Sequence, residues 1–254
     1  MKTRFEVYLN DISLSSLNDN LAITDISYPA PVIDHTVAQY AGRDGGFISS
    51  SRKSEAVVVI TFELHIYNTQ DRQAACQEII TWARSGGKLQ TSDRRDQFLR
   101  CVCRKPPSIE SALKWNDPLT VEFAAYAIPY WQSIHASETT LTGTSATGRL
   151  FVPGNGKASA DVKITASAAL SSLTVGFGST SITLSGLTAS AGDVITFSHD
   201  ENGTLFIKQG TASLLLRRTP ASSDDLTAAC GTVPISITAS SSVEAVFSVK
   251  GVWN

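Results

Sequence analysis

The chain has 254 residues and a mass of 27.1 kDa, with 42% hydrophobic residues and a mean hydropathy of +0.01. That composition excludes a disordered chain and supplies enough apolar side chains for one or two domains without metal or disulfide staples. Lys plus Arg is 21 and Asp plus Glu is 23, a net charge of −2, so no electrostatic excess draws the whole chain to nucleic acid or to acidic lipid.

The first residues, Met1-Lys2-Thr3-Arg4-Phe5-Glu6-Val7-Tyr8, carry a charge every two residues and hold no apolar stretch of the kind a secretory signal needs. Apolar runs such as Ala56 to Ile60 are far too short for a membrane span, so synthesis in the cytoplasm and no membrane insertion are expected. Phe5-Val7-Leu9 reads as a short strand. Val58, Ile60, Phe62, Leu64 and Ile66 alternate with polar residues and predict a long strand with one buried face. A helix is expected over residues 69–86. Ala75, Ile79 and Trp82 share a face with Cys76, Ile80 and Ala83 beside it, Asn68 can cap its start and Gly86-Gly87 can close its end. Phe98-Arg100-Val102 and Leu119-Val121-Phe123-Ala125 read as further strands. One helix among many strands implies a mainly β fold with a helix on the flank of a sheet.

The composition changes near residue 136. Residues 1–136 hold 29 charged residues and 14 aromatics; residues 137–254 hold 15 and 6, and no tyrosine. Ser plus Thr rises from 21 to 36 across the same boundary, yet an alternating apolar pattern persists, so the second part reads as a β domain and not a disordered stalk. Ala160-Val162-Ile164-Ala166 is one strand. Val194 to Phe197 and Leu205 to Lys208 flank an Asn202-Gly203 turn and predict a hairpin. Ile235-Ile237 and Val243-Ala245-Phe247-Val249 are expected to close the chain as a pair. The core should hold Val162, Ile164, Val194, Ile195, Phe197, Leu205, Ile207, Ile237, Val243, Phe247 and Val249. Short strands at this density fit a β-sandwich.

Catalytic and cofactor constellations are not expected. His35, His65, His135 and His199 form no i, i+4 pair. Cys101 and Cys103 share a strand face but lack the second pair that zinc sites use, and with Cys76 and Cys230 they read as free thiols, mostly buried. Gly154-Asn155-Gly156-Lys157 lacks the first glycine of a phosphate loop, and Gly176-Phe177-Gly178 lacks the third of a dinucleotide turn. The acidic pairs Asp200-Glu201 and Asp224-Asp225 read as solvated turns. No metal, cofactor or enzymatic activity is therefore expected. A carbohydrate-binding adhesion module is the alternative class, because accessory β-sandwiches often stack sugars on exposed Trp or Tyr. Here the second part offers only Trp253.

Several motifs carry a resemblance. Ala41-Gly42-Arg43-Asp44-Gly45-Gly46-Phe47 precedes the apolar strand Val57 to Ile66. The helix ends in Trp82-Ala83-Arg84-Ser85-Gly86-Gly87. Val121-Glu122-Phe123-Ala124-Ala125-Tyr126-Ala127-Ile128-Pro129-Tyr130-Trp131 closes the first part. The second part holds Ala191-Gly192-Asp193-Val194-Ile195-Thr196-Phe197, then Asp225-Leu226, Gly231 and Val249-Lys250-Gly251-Val252-Trp253. In order and spacing these resemble the distal tail protein family of long-tailed (siphovirus) bacteriophages.

The resemblance implies a fold and a role. Residues 1–136 would be a ring-forming, β-sandwich-like tail domain with one flanking helix. Residues 137–254 would be a peripheral C-terminal β-sandwich, galectin-like or similar to a carbohydrate-binding module. The protein would be a structural component of a phage or prophage virion tail. It would form a homo-oligomeric, hexameric ring at the distal end of the tail tube. Its partners would be the tail tube protein, a tail tip or tail-associated protein, and a receptor-binding protein. Gly42, Arg43, Asp44, Gly45 and Gly46 are the candidate assembly turn. Arg43 and Asp44 would contact a neighbouring subunit or face the channel, and a solvated hairpin turn is the other reading.

Overall fold

The computed structural model describes residues 5–39, 41, 42, 44–112 and 117–253. It is mainly β with one long helix, as expected, and divides into two compact units, Met1–Trp131 and Gln132–Asn254.

The first unit contains β1 (Val7–Leu9), β2 (Ile12–Ser13), β3 (Leu21–Ser27), β4 (Val32–Ala38), β5 (Phe47–Leu64), α1 (Thr69–Arg84), β6 (Gly87–Thr91), β7 (Gln97–Lys105), α2 (Ile109–Ala112) and β8 (Leu119–Ala125). Antiparallel pairing gives the order β2–β1–β6–β7 on one side and β3–β5–β8–β7 on the other. β7 belongs to both. Leu99 and Cys101 pair with β6, and Val102 and Cys103 pair with β8. Phe98, Leu99 and Cys101 are buried while Val102 is exposed.

α1 begins where Asn68 accepts a hydrogen bond from the Gln70 amide at 2.9 Å, as the sequence pattern predicts. Its Ala75, Cys76, Ile79, Ile80, Trp82 and Ala83 are all buried. Trp82 meets Phe123 edge to face at 5.8 Å, and its indole N–H donates to the Ile12 carbonyl at 3.2 Å. The helix exit is fixed by the β1–β2 turn. Asn10 and Asp11 both have positive φ, the signature of a two-residue type I′ hairpin. The Asn10 side chain donates to the Gly86 carbonyl and accepts from the Lys88 amide. A Cβ on Gly87, whose φ is +120°, would collide with the Asn10 side-chain amide and displace the bonds it makes.

β5 changes character along its length. From Ala56 to Leu64 it pairs with β8 (Ala56–Phe62) and β3 (Val59–Leu64) and buries Ala56, Val58, Ile60, Phe62 and Leu64. Each large apolar side chain so buried contributes roughly 1.5–3 kcal/mol. From Phe47 to Glu55 the same strand pairs with β4 as a two-stranded arm with mostly exposed side chains. The strand therefore starts ten residues before the expected Val57. An arm with no buried face leaves no periodicity to read.

The second unit contains β9 (Trp131–Val152, its first residue belonging to the first unit), β10 (Ala158–Ala166), β11 (Leu170–Phe177), β12 (Thr180–Ala189), β13 (Val194–His199), β14 (Leu205–Gln209), β15 (Ala212–Ser213), β16 (Thr227–Ala228) and β17 (Gly231–Trp253). The order β17–β10–β13–β14–β15 makes one sheet, and β17–β11–β12 the other. This is a β-sandwich-like arrangement. The compositional boundary at 136 falls inside β9. The expected terminal pair of strands is one strand: β17 pairs with β11 through Ile235–Ala239 and with β10 through Val243–Val249. Its inward positions keep one parity through Ser240-Ser241-Ser242, so the apolar phase never breaks. The core holds Val162, Ile164, Ile195, Phe197, Ile207, Ile237, Val243, Phe247 and Val249, as the alternation predicts, whereas Val194 and Leu205 are half-buried. The hairpin joining β13 and β14 forms, with a five-residue loop in which Asp200 Oδ1 accepts from the amides of Asn202 and Thr204.

Candidate assembly surface

The turn singled out from sequence lies at the tip of the β4–β5 arm. Arg43 lies outside the described residues. Gly42 and Gly45 have φ of +82° and +85°, a left-handed conformation that costs a side chain on the order of 1–2 kcal/mol. A Cβ on Gly46 would come 2.7 Å from Val37 Cγ1. Asp44 is exposed.

The arm is apolar where solvent should favour polar groups. Ile33, Val37, Phe47 and Ile48 are 52, 58, 43 and 58% exposed. Strand alternation puts Ile33, His35 and Val37 on one face, and their cross-strand partners are Lys53, Ser51 and Ile48. That face runs from the apolar pair Val37–Ile48 near the tip to Lys53 at the base. A hydrogen bond of 2.7 Å between His35 and Ser51 crosses it. Asp34 and Arg52 face each other at 3.9 Å, both largely exposed, which adds little stability. A two-stranded ribbon is marginal in water by itself. Clustered exposed apolar side chains mark interaction surfaces.

Two cations sit on aromatic rings at the arm base. Lys53 Nζ lies 4.9 Å from the Tyr130 ring centre, and the Arg94 guanidinium lies 4.7 Å from Tyr28 and 4.9 Å from Trp131. Tyr28 and Trp131 meet edge to face at 5.8 Å. The Tyr28 hydroxyl donates to the Asp93 carboxylate at 2.8 Å and contacts Thr91 at 3.0 Å. Burial, chiefly, pushes its pKa well above the usual phenol value. Burial, and then the Arg94 charge, push the Lys53 pKa down. The exit motif Pro129-Tyr130-Trp131 thus supplies two of the rings that hold these cations. Nothing in its linear spacing marks Arg94 or Lys53 as its companions.

In the second unit the sequence reading missed a half-buried ionic clasp. His199 Nδ1 bonds Asp161 Oδ1 at 2.8 Å, and Nε2 bonds Asp225 Oδ1 at 2.8 Å. Ser159 donates to the other Asp225 oxygen at 2.8 Å. Burial lowers the His199 pKa, but the two carboxylates outweigh it and bring the value to about 9. Asp225 is raised by burial and lowered more by its bonds from His199 and Ser159, for a net fall. With both ring nitrogens held by carboxylates and Ser159 bonded to Asp225, no serine–histidine pair forms, so the geometry is that of a staple. Asp225 is therefore structural and not the solvated turn residue expected. Its neighbour Asp224 is exposed and pairs with Arg218 at 2.9 Å.

Among the described residues no three His, Cys, Asp or Glu side chains are grouped to hold a metal, and no helix is long and apolar enough to cross a membrane. Cys76 and Cys101 are buried, Cys103 is half-buried and Cys230 is exposed. Burial pushes the Cys101 thiol up to about 12. A cleft of about 250 Å³ lined by Glu6, Tyr8, Gln90, Thr91, Ser92 and Arg95 is smaller than typical ligand pockets. Glu6 there accepts from Ser13 and Ser15.

No family model matches the chain, and neither does any curated protein. Solved structures do. The crystal structure of SPP1 Dit (gp 19.1) aligns with a TM-score of 0.71 and 12% identity over 97% of this chain and 98% of that one. That structure is described as a paradigm of the hub adsorption apparatus in phages infecting Gram-positive bacteria. A chain of the phage p2 baseplate in its activated conformation with Sr aligns with a TM-score of 0.51 and 10% identity over 97% of each chain. At these identities the likeness is one of fold: the chain has a Dit-like fold from one end to the other.

Proposed function

We propose that the chain is a structural component of a phage or prophage virion tail. In this reading six copies form a ring at the distal end of the tail tube and join it to the tail tip or receptor-binding apparatus. The observation that carries the reading is the Dit-like fold over 97% of the chain. The arm adds independent support, because Ile33, Val37 and Ile48 are exposed on a ribbon that needs a partner to be stable. The ring-building part is residues 1–136, which hold the arm. Residues 137–254 form a peripheral attachment domain with a core of its own. The tail tube protein, a tail tip protein and a receptor-binding protein are the partners. The protein is not an enzyme in this reading; His35, His65 and His199 serve hydrogen bonds or ion pairs.

Native mass spectrometry at tens of micromolar, with negative-stain imaging, tests the proposal. A six-copy mass and a ring with a central channel are expected. A monomer across the concentration range with no ring in any image would overturn it. The carbohydrate-binding alternative gains nothing from the structure. Among the described residues, Phe151, Leu215 and Leu216 are the large hydrophobic residues exposed in the second unit, too few rings for a sugar platform.

A further inference from the structure

β12 is the edge strand of its sheet, with β11 as its one strand partner among the described residues. An open edge is a template for pairing with another chain, and proteins blunt it with charge, proline or a cover. β12 carries no charged residue and no proline. Its cover is the segment 215–225, which has no strand of its own. The Ser223 amide donates to the Ser181 carbonyl at 2.8 Å, and the Ser223 hydroxyl accepts from the Ser181 amide at 3.0 Å. Two residues along, the Thr219 amide donates to the Thr183 carbonyl at 2.9 Å, and the Ser222 hydroxyl accepts from the Thr183 amide at 3.0 Å. Serine side chains thus stand in for a neighbouring strand. Gly186, with φ of +66°, and a register shift after Ser185 end the regular edge, so the guarded stretch is 180–185.

The cover is held by polar contacts. Leu214 and Leu226 are buried at its two ends, and no residue of 215–225 is. Its side-chain tie to the opposite sheet is Asp225, which bonds His199 of β13 and Ser159 of β10, while Asp161 of β10 holds the other ring nitrogen of His199. One segment therefore fastens the edge of one sheet to two strands of the other. We propose that residues 215–225 are a displaceable guard, latched at His199, over a strand-pairing edge, and that the occupant of that edge when the guard lifts is β12 of a second copy of this chain. The inference does not rest on the ring reading. Two β12 edges laid antiparallel present the same patch to each other, so the contact is isologous and closes as a dimer. No charge on either strand opposes it. Ile182 and Leu184, fully buried, keep β12 seated in its own core when the guard leaves.

Hydrogen exchange read by mass spectrometry, with sedimentation in reductant, tests this on the full chain. His199→Gln should speed exchange at least ten-fold in peptides covering 180–185 and 215–225, and leave those of β17 at the parent rate. At tens of micromolar it should also add a dimerisation step to whatever the parent forms. The guard bonds only the backbone of Ser181, so Ser181→Lys added to His199→Gln should keep the fast exchange and remove the extra association. Parent exchange rates over β12 in His199→Gln would mean that the latch does not hold the guard, and the proposal falls. An open guard without added association, or association that survives Ser181→Lys, would show that copies do not meet at β12 and overturns it too. Should His199→Gln speed exchange throughout the second unit, Ser222→Ala with Ser223→Ala decides on the same two readouts, because it frees the edge and leaves the clasp intact. A six-copy parent mass is compatible with every one of these results, so the ring reading stands or falls separately.

Discussion

β17 and β5 both outrun a single sheet. β17 pairs with two partners in succession, β11 through Ile235–Ala239 and β10 through Val243–Val249, and its inward side chains keep one phase. β5 spends its last nine residues on β8 and β3, both at once from Val59 to Phe62, and its first nine on β4 alone. The same extended backbone is thus a core element in one place and an open arm in the other. Strand length does not tell them apart. The second partner and the buried face do. A strand flanked on both sides satisfies its hydrogen bonds within the chain, whereas a ribbon leaves two edges open.

The largest effects should come from cutting into the segments with a buried face. Phe247→Ala in β17 and Phe62→Ala in the inner half of β5 each remove a fully buried ring and should cost about 3–5 kcal/mol in denaturant unfolding. Equal costs would confirm that inner β5 and β17 are alike. A cost below about 1 kcal/mol at Phe62 would break the comparison.

Next is the clasp beside β17, whose Ser248 is the register partner of Asp161. His199→Gln should cost about 1–3 kcal/mol near neutral pH, because it leaves two carboxylates without their shared donor. The folded-state pKa of His199 is raised from 6.5 to about 9, so its contribution is complete below pH 6.5 and disappears as pH rises through 9. Asp225 is shifted downward, so its contribution is lost on the acid side as pH falls through its folded-state value. Melting temperatures of parent and variant should therefore converge between pH 6.5 and pH 9. A gap that stays constant across that window would sink the assignment.

On the arm the expected effects on folding are smaller. Gly45→Val forces a β-branched residue to φ near +85°, costing on the order of 1–2 kcal/mol locally. The core should hide this cost. Faster proteolysis between β4 and β5, and weaker assembly, should reveal it. The smallest change in chain stability should follow Val37→Ser with Ile48→Ser, within about 0.5 kcal/mol of the parent. The same pair should abolish oligomers. Loss of monomer stability by several kcal/mol would show that the arm already packs within its own chain.

Where a residue has a core face, its sequence announced it. The Asn68 cap and the Ala75, Ile79, Trp82 stripe define α1, and the alternation from Val58 to Leu64 defines inner β5. β4 and outer β5 were illegible because neither face is buried, so no period exists to detect. β9 was missed for a related reason: its Ser/Thr-rich middle buries little on either side. Gly42, Gly45 and Gly46 were legible as a turn, because positive φ and close approach both select glycine. The clasp was not, since His199 and Asp225 are 26 residues apart and meet only when their strands are placed. Arg94 and Tyr28 likewise meet through tertiary structure alone.

Cys230 stands alone in its chemistry. It is exposed just ahead of β17, whereas Cys76 and Cys101 are buried and Cys103 is half-buried with its pKa raised. Brief maleimide treatment at neutral pH should therefore modify one thiol per chain, giving a single-site fluorophore for counting subunits by stepwise photobleaching. The same exposure makes air oxidation a source of covalent dimers that would masquerade as assembly. Any even-numbered mass should be weighed again after reductant, and Cys230→Ser provides a stock free of that artefact.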